Sequence, residues 1–308
     1  ESISEVEMNR FITAITIVST LSIAQGCTQL AQVKEEPTMT TTTRPNAAHA
    51  EETNHNHPTT HTTNHTEHGN SHANASTTTQ AKLTTTGVIT PNTPTILQID
   101  VQDENGKATA QFDQFQEQVM HLIAVSDDLQ VFQHLHPVYK GNGRFEVEVQ
   151  FPQSGNYTLF SDYQPTGQPE QVSVLKTQVA GNTAPVAQAD WSRTKTFNET
   201  IVGFAPNQAT VRAGQEVVLP FNLQDAASYQ PITDLQPYLG EKGHLVILRQ
   251  SPTLTRENYI HAHAVQNTPA NQIHFATRFP QPGRYKLWGQ FNRNGEIITA
   301  DFWVEVVE

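Results

Sequence analysis

Phe151-Pro152-Gln153-Ser154-Gly155-Asn156-Tyr157-Thr158-Leu159-Phe160 returns later in the chain as Phe279-Pro280-Gln281-Pro282-Gly283-Arg284-Tyr285-Lys286-Leu287-Trp288. In each copy a Gly-bearing turn feeds a run in which large apolar residues alternate with others, the pattern of a strand with one buried face. Working outward, the match persists in the same order. His121-Leu122-Ile123-Ala124-Val125 returns as His244-Leu245-Val246-Ile247-Leu248, and His134-Leu135-His136 as His261-Ala262-His263. His121 precedes Phe151 by 30 residues and His244 precedes Phe279 by 35, a difference one longer loop absorbs. The folded part is therefore one module used twice.

Further alternating runs, Ile96-Leu97-Gln98-Ile99-Asp100-Val101 and Phe145-Glu146-Val147-Glu148-Val149-Gln150-Phe151, read as strands. Turn signals such as Asp103-Glu104-Asn105-Gly106 and Lys140-Gly141-Asn142-Gly143 separate them at short spacing, which predicts an all-β sandwich or barrel. No helix of ordinary length is expected. The Ala-, Gln-, Thr- and Pro-rich stretch after Thr177 is the natural joint. The organisation that follows is a signal peptide over 1–26, a disordered tether over 27–82, a first module over 83–178, a linker over 179–195 and a second module over 196–308.

The amino-terminal segment carries an address. Phe11 to Ala24 is uncharged and apolar with small hydroxyl residues, a signal-peptide core and shorter than the about 20 residues of a transmembrane span. The acidic residues ahead of Met8 do not suit such a leader, so Met8 is the expected start. Cys27 is the only cysteine and follows Ile23-Ala24-Gln25-Gly26, which resembles a bacterial lipobox in which the cysteine becomes the lipidated first residue. Gln25 departs from the usual small or apolar residue at that place. The expected location is the cell envelope, anchored by lipid to a membrane and facing the periplasm or exterior.

From Thr28 to about Gln80 the chain is Thr, Asn, Ala, Glu and His with almost no large apolar side chain, a composition that cannot bury enough surface to fold. Seven of the fourteen histidines lie there: His49, His55, His57, His61, His65, His68 and His72. Irregularly spaced histidines on a flexible tract give weak, multivalent metal capture. Thirty acidic against 18 basic residues, a net charge of -12, turn the chain away from nucleic acid and towards cations. With one cysteine and three methionines against fourteen histidines, metal chemistry must run on imidazole and carboxylate.

Residues i and i+2 of a strand share a face about 6.6 Å apart, so a His-x-His pair presents two imidazoles to one ion. His134 with His136, joined by His121 from a neighbouring strand, forms one triad, and His261, His263 and His244 form its counterpart. Three imidazoles suit Zn(II) or Cu(II), which composition does not distinguish. Asp162 is a fourth-ligand candidate for the first triad. Its counterpart is Gln290, and Ala264 stands where the first copy has Pro137, so the first copy is expected to bind the more tightly. His274, alternating with Ile273 and Phe275 and without a counterpart in the first copy, reads as solvent-facing.

Met120-His121-Leu122-Ile123 with His134-Leu135-His136-Pro137, followed by Pro237-Tyr238-Leu239-Gly240 leading to Gly243-His244-Leu245-Val246, resembles a family of uncharacterised secreted bacterial lipoproteins. That resemblance implies two tandem immunoglobulin-like β-sandwich domains, similar in outline to periplasmic copper-binding proteins of the CopC type. The functional expectation is a lipid-anchored protein that captures, buffers or hands over Zn(II) or Cu(II), with a metal transporter or cell-envelope protein as its partner. The alternative is a tandem immunoglobulin-like interaction module without a metal role. No glutamate accompanies either His-x-His pair as a general base, and no phosphate loop, nucleophile elbow or dinucleotide fingerprint occurs, so no enzymatic activity is expected.

Overall fold

The computed structural model describes residues 78–308, apart from Ala184 and Val186. The signal peptide, Cys27 and the seven tether histidines lie outside the described residues. Within them the chain forms two immunoglobulin-like β-sandwiches in tandem. No helix among the described residues is long and apolar enough to cross a membrane.

The first module contains β1 (Thr79–Thr85), β2 (Thr95–Asp103), β3 (Phe112–Asp113), β4 (Met120–Ser126), β5 (Phe132–Leu135), β6 (Val138–Gly141), β7 (Arg144–Val149), β8 (Gly155–Pro165) and β9 (Gln171–Val179). One sheet runs β1-β2-β7-β6, the other β3-β8-β4-β5, with β9 paired to β8. The second module contains β10 (Thr194–Phe197), β11 (Thr200–Phe204), β12 (Val211–Arg212), β13 (Glu216–Asp225), β14 (His244–Arg249), β15 (Tyr259–His263), β16 (Gln272–Arg278), β17 (Gly283–Arg293) and β18 (Glu296–Val307). Its sheets run β10-β11-β13-β16 and β12-β18-β17-β14-β15. The order β9-β8-β4-β5 is thus repeated as β18-β17-β14-β15.

Register repeats with order. His121 stands opposite Asp162 and Ile123 opposite both Phe160 and His134. In the second module His244 stands opposite Gln290, and Val246 opposite both Trp288 and His261. β1 starts inside the stretch assigned to the tether: Thr79 and Ala81 are buried while Gln80 and Lys82 are exposed. The Thr79 amide and hydroxyl both donate to Gln171 Oε1, at 3.1 and 2.9 Å. Alternation brings even this polar run into the sheet, because its inward polar groups find partners on β9.

Each module closes its own core. Leu97, Ile99, Phe145, Leu122, Ala124 and Leu159 fill the first, and Phe221, Phe275, Leu245, Ile247, Leu287 and Phe302 the second. A third apolar cluster belongs to neither. Ile123, Val125 and Phe160 of the first module pack there with Val246, Leu248, Tyr259 and Trp288 of the second. β4 is consequently buried along its whole length. Its even positions fill its own module and its odd positions the joint between modules, and β14 divides likewise with Leu245 and Ile247 inward and Val246 and Leu248 at the joint.

The joint is pseudo-twofold. Phe132 stacks on Trp288 with centroids 4.9 Å apart, and Phe160 stacks on Tyr259 at 4.7 Å, both at 14°. Phe132 and Tyr259 occupy equivalent places two residues before the central histidine of each copy, as do Phe160 and Trp288 on the paired strand. Repetition of two different contacts by the same operation marks an isologous interface, the geometry of a symmetric dimer inside one chain.

Candidate functional site

His121 and His134, with Asp162 on β8, continue the joint-facing rows of the first module; His244 and His261, with Gln290 on β17, do so in the second. The docking that buries the apolar residues therefore brings imidazoles from both copies together. The His121 and His244 rings stack across the joint, 5.8 Å apart at 27°. His134 lies 5.4 Å from His244, and His121 lies 6.0 Å from His261. His121 is 0% exposed and His244 2%.

Hydrogen bonds set the direction of each lone pair. A carbonyl only accepts, so His121 Nε2–H donates to the Phe115 carbonyl at 3.2 Å, which leaves Nδ1 as the lone-pair nitrogen. Gln290 Nε2 donates to Thr299 Oγ1 at 3.3 Å, and its Oε1 receives His134 Nδ1–H at 2.7 Å. His134 is left with a lone pair on Nε2. These two lone-pair nitrogens face one another at 3.0 Å. In the second copy His261 Nδ1–H points to Asp162 Oδ2 at 3.4 Å and Nε2 lies 2.9 Å from His244 Nδ1.

His136 completes the first group. Its ring lies 4.8 Å from His134 and 5.2 Å from His121. One ring nitrogen from each of the three falls within 4.8 Å of the others. His136 Nε2 is buried and has no hydrogen-bond partner among the described residues. Burial pushes the His121 imidazole down to about 2, with the neighbouring imidazoles adding to the fall. It pushes His134 down to about 3 and lowers His136 in the same direction. Burial also takes His261 down to about 4, against the pull of the Glu170 carboxylate. Near neutral pH all four rings are uncharged and can donate electron pairs.

Asp162 departs from its expected place. It sits beside His121 in the backbone register, yet its carboxylate meets His261 and Tyr259 of the other module. The physical reason is the pseudo-twofold joint: a side chain on the outer face of β8 reaches across it, and Gln290 on β17 makes the reciprocal reach to His134. Burial pushes the Asp162 carboxyl up to about 6, against the lowering effect of its hydrogen bond with Glu170 and of the Arg256 charge. His263 stands opposite His244 in the strand register. His274 is half-buried on the outer face of β16, with Nε2 bonded to Gln272 Oε1 at 2.7 Å, apart from this cluster.

Glu170, Tyr259 and the Phe115 carbonyl join the site without having been singled out in the sequence, and Tyr238 of the Pro237–Gly240 motif lies edge-on to His134 and His244 at 6.3 and 5.9 Å. Tyr259 stands two residues before His261 on β15, so alternation points to it. Glu170 lies in the turn between β8 and β9, where no periodic signal exists.

The family model for a domain of unknown function (DUF8832) matches the chain twice, over residues 74–180 and 196–308. The chain belongs to that family. The two matched segments of this DUF8832 protein coincide with the two sandwiches, so each sandwich is one copy of the family's domain. No curated protein matches the chain. Among solved structures, trypsin-activated α2-macroglobulin from Escherichia coli aligns at 14% identity with a TM-score of 0.26, over 75% of this chain and 16% of that one. The D00-D0 domain of intimin aligns at 11% identity and a TM-score of 0.21, over 74% of this chain and 100% of that one. Invasin, a bacterial integrin-binding protein, aligns at 10% identity and a TM-score of 0.21, over 72% and 39%. The chain thus spans only a small part of the macroglobulin's length.

Proposed function

We propose that this DUF8832 chain is an exported, lipid-anchored protein that captures Zn(II) or Cu(II) at the outer side of a membrane and holds it at His121, His134 and His136. The observation that carries this reading is the opposition of two lone-pair nitrogens, His121 Nδ1 and His134 Nε2, at 3.0 Å. Their other nitrogens are committed to oxygen acceptors, the outer-shell arrangement that orients a metal-binding imidazole. Two facing lone pairs repel unless a proton or a cation lies between them, and burial disfavours the proton. Nitrogen ligands about 2.0–2.1 Å from a tetrahedral ion lie about 3.3–3.4 Å apart, so a small outward shift seats one. His136 Nε2, buried and without a partner among the described residues, supplies the third bond.

In this reading the His-rich tether collects ions weakly and the folded site holds them. Gln290 from the second module orients His134, so capture depends on the docked pair of modules.

Copper serves as the probe. With the seven tether histidines replaced by Gln, one equivalent of Cu(II) is expected to give an electron paramagnetic resonance spectrum with coupling to three imidazole nitrogens. The additional pair His134→Gln and His136→Gln should abolish it. An unchanged spectrum in that variant would overturn the assignment.

A further inference from the structure

A cavity of about 400 Å³ opens beside the histidine cluster, lined by Asp162 and Glu170 of the first module and by Arg256, Tyr259, His261 and Arg278 of the second. One ligand atom each from Asp162, Glu170 and His261 lies within 4.8 Å of the other two. Asp162 is 0% exposed. Its Oδ2 receives the Tyr259 hydroxyl and His261 Nδ1, both at 3.4 Å, but its Oδ1 is buried with no hydrogen-bond partner among the described residues. A buried carboxylate oxygen without a donor is costly to keep. Tyr259 and His261 already sit at long range on the other oxygen, so neither relieves it.

Both arginines of the cavity also bond backbone carbonyls of the second module, and the Arg256 charge acts on Asp162. Arg256 Nη1 donates to the Tyr259 carbonyl at 2.9 Å, and Arg278 Nη1 to the Gly214 carbonyl at 3.0 Å. Two carboxylates and one imidazole converge on the remaining space.

We propose that this cavity is a second metal site, in which Asp162, Glu170 and His261 Nδ1 hold one Zn(II) across the joint between the modules. The mixed oxygen and nitrogen set leaves one tetrahedral position to water. It differs in kind from the three-imidazole site, since carboxylates favour harder ions than imidazoles do. When His261 Nδ1 binds the ion, the ring proton resides on Nε2 and donates to His244 Nδ1, 2.9 Å away. The imidazole stays neutral throughout. Because its ligands come from both modules, the ion also clamps the joint.

This extends the metal reading to a second site, and the two fail separately. Equilibrium dialysis of the full chain with the seven tether histidines changed to Gln is expected to find two equivalents of Zn(II). Asp162→Asn should retain one, as should Glu170→Gln, while His136→Gln should lose the other. Zn(II) should raise the Tm of His136→Gln but not of the double variant His136→Gln with Glu170→Gln. Where Asp162→Asn fails to fold, Glu170→Gln decides. One equivalent in the parent, lost in His136→Gln, would overturn the second site and leave the first standing. Two equivalents retained in Glu170→Gln would also overturn it, and no binding at all would overturn both.

Discussion

Metal-free protein is expected to lose about 5 kcal/mol of stability between about pH 7.5 and pH 5. His121, His134 and His261 have folded-state values depressed by burial to about 2, 3 and 4. In the unfolded chain each imidazole takes up a proton near its ordinary value of about 6.5. A depressed imidazole therefore contributes stability that is fully present above that value and is lost as pH falls below it, because only the unfolded state gains the proton. At 1.5 units below, each costs about 2 kcal/mol. Asp162 works in the opposite direction: its raised value of about 6 means the folded state takes a proton first, which returns about 1 kcal/mol by pH 5. The imidazoles outnumber it, so the net effect is a loss comparable to the whole stability of a marginal domain. Urea unfolding of chelator-treated protein at the two pH values measures it. Equal midpoints would show that these rings are not buried as neutral groups.

The rings are buried because of a joint that the sequence expresses only indirectly. Repetition of Phe151–Phe160 as Phe279–Trp288 and the alternation of β2, β7 and β8 make the double sandwich legible, since local periodicity is a property of consecutive residues. The His-x-His spacing likewise places His134 and His136 on one strand face with no knowledge of the rest of the fold. Docking of the two modules is a different kind of information, held by faces whose residues are far apart in the chain. One trace of it survives in sequence. Leu122 to Val125 and Leu245 to Leu248 are continuously apolar, where β7 alternates, and a strand apolar on both sides needs cover on both sides. The aromatic-x-His pairs Phe132 with His134 and Tyr259 with His261 belong to the same face. Asp162 was expected to serve its own copy because sequence neighbours are the natural guess for ligands; the pseudo-twofold joint exchanges that service between copies. Glu170, in a turn with no period, leaves no trace at all. Thr79–Lys82 read as tether because polar composition resembles disorder, and only the partners on β9 make it a strand.

Trp288→Ala is expected to cost about 3–5 kcal/mol, the usual range for emptying a buried aromatic position, and to separate the unfolding of the two modules. Trp288 is 3% exposed and lies flat on Phe132 across the joint, so its removal strips contact from the joint and leaves the second module's own core residues in place. Two sandwiches with complete cores of their own unfold together only while the apolar cluster between them couples their stabilities. Phe160→Ala should have a similar effect through its stack on Tyr259, because the pseudo-twofold operation makes the two stacks equivalent. Trp191→Ala, at a ring that is 39% exposed, should stay within about 0.5 kcal/mol. Calorimetry distinguishes the outcomes: one transition in the parent and two in Trp288→Ala. The site should fail with the joint, since His134 loses the orienting amide of Gln290 and His261 loses Asp162 once the modules part. A Trp288→Ala protein that still unfolds in one transition, within about 1 kcal/mol of the parent, would mean that the joint contributes little and that the histidines are assembled by something other than the docking of the repeats.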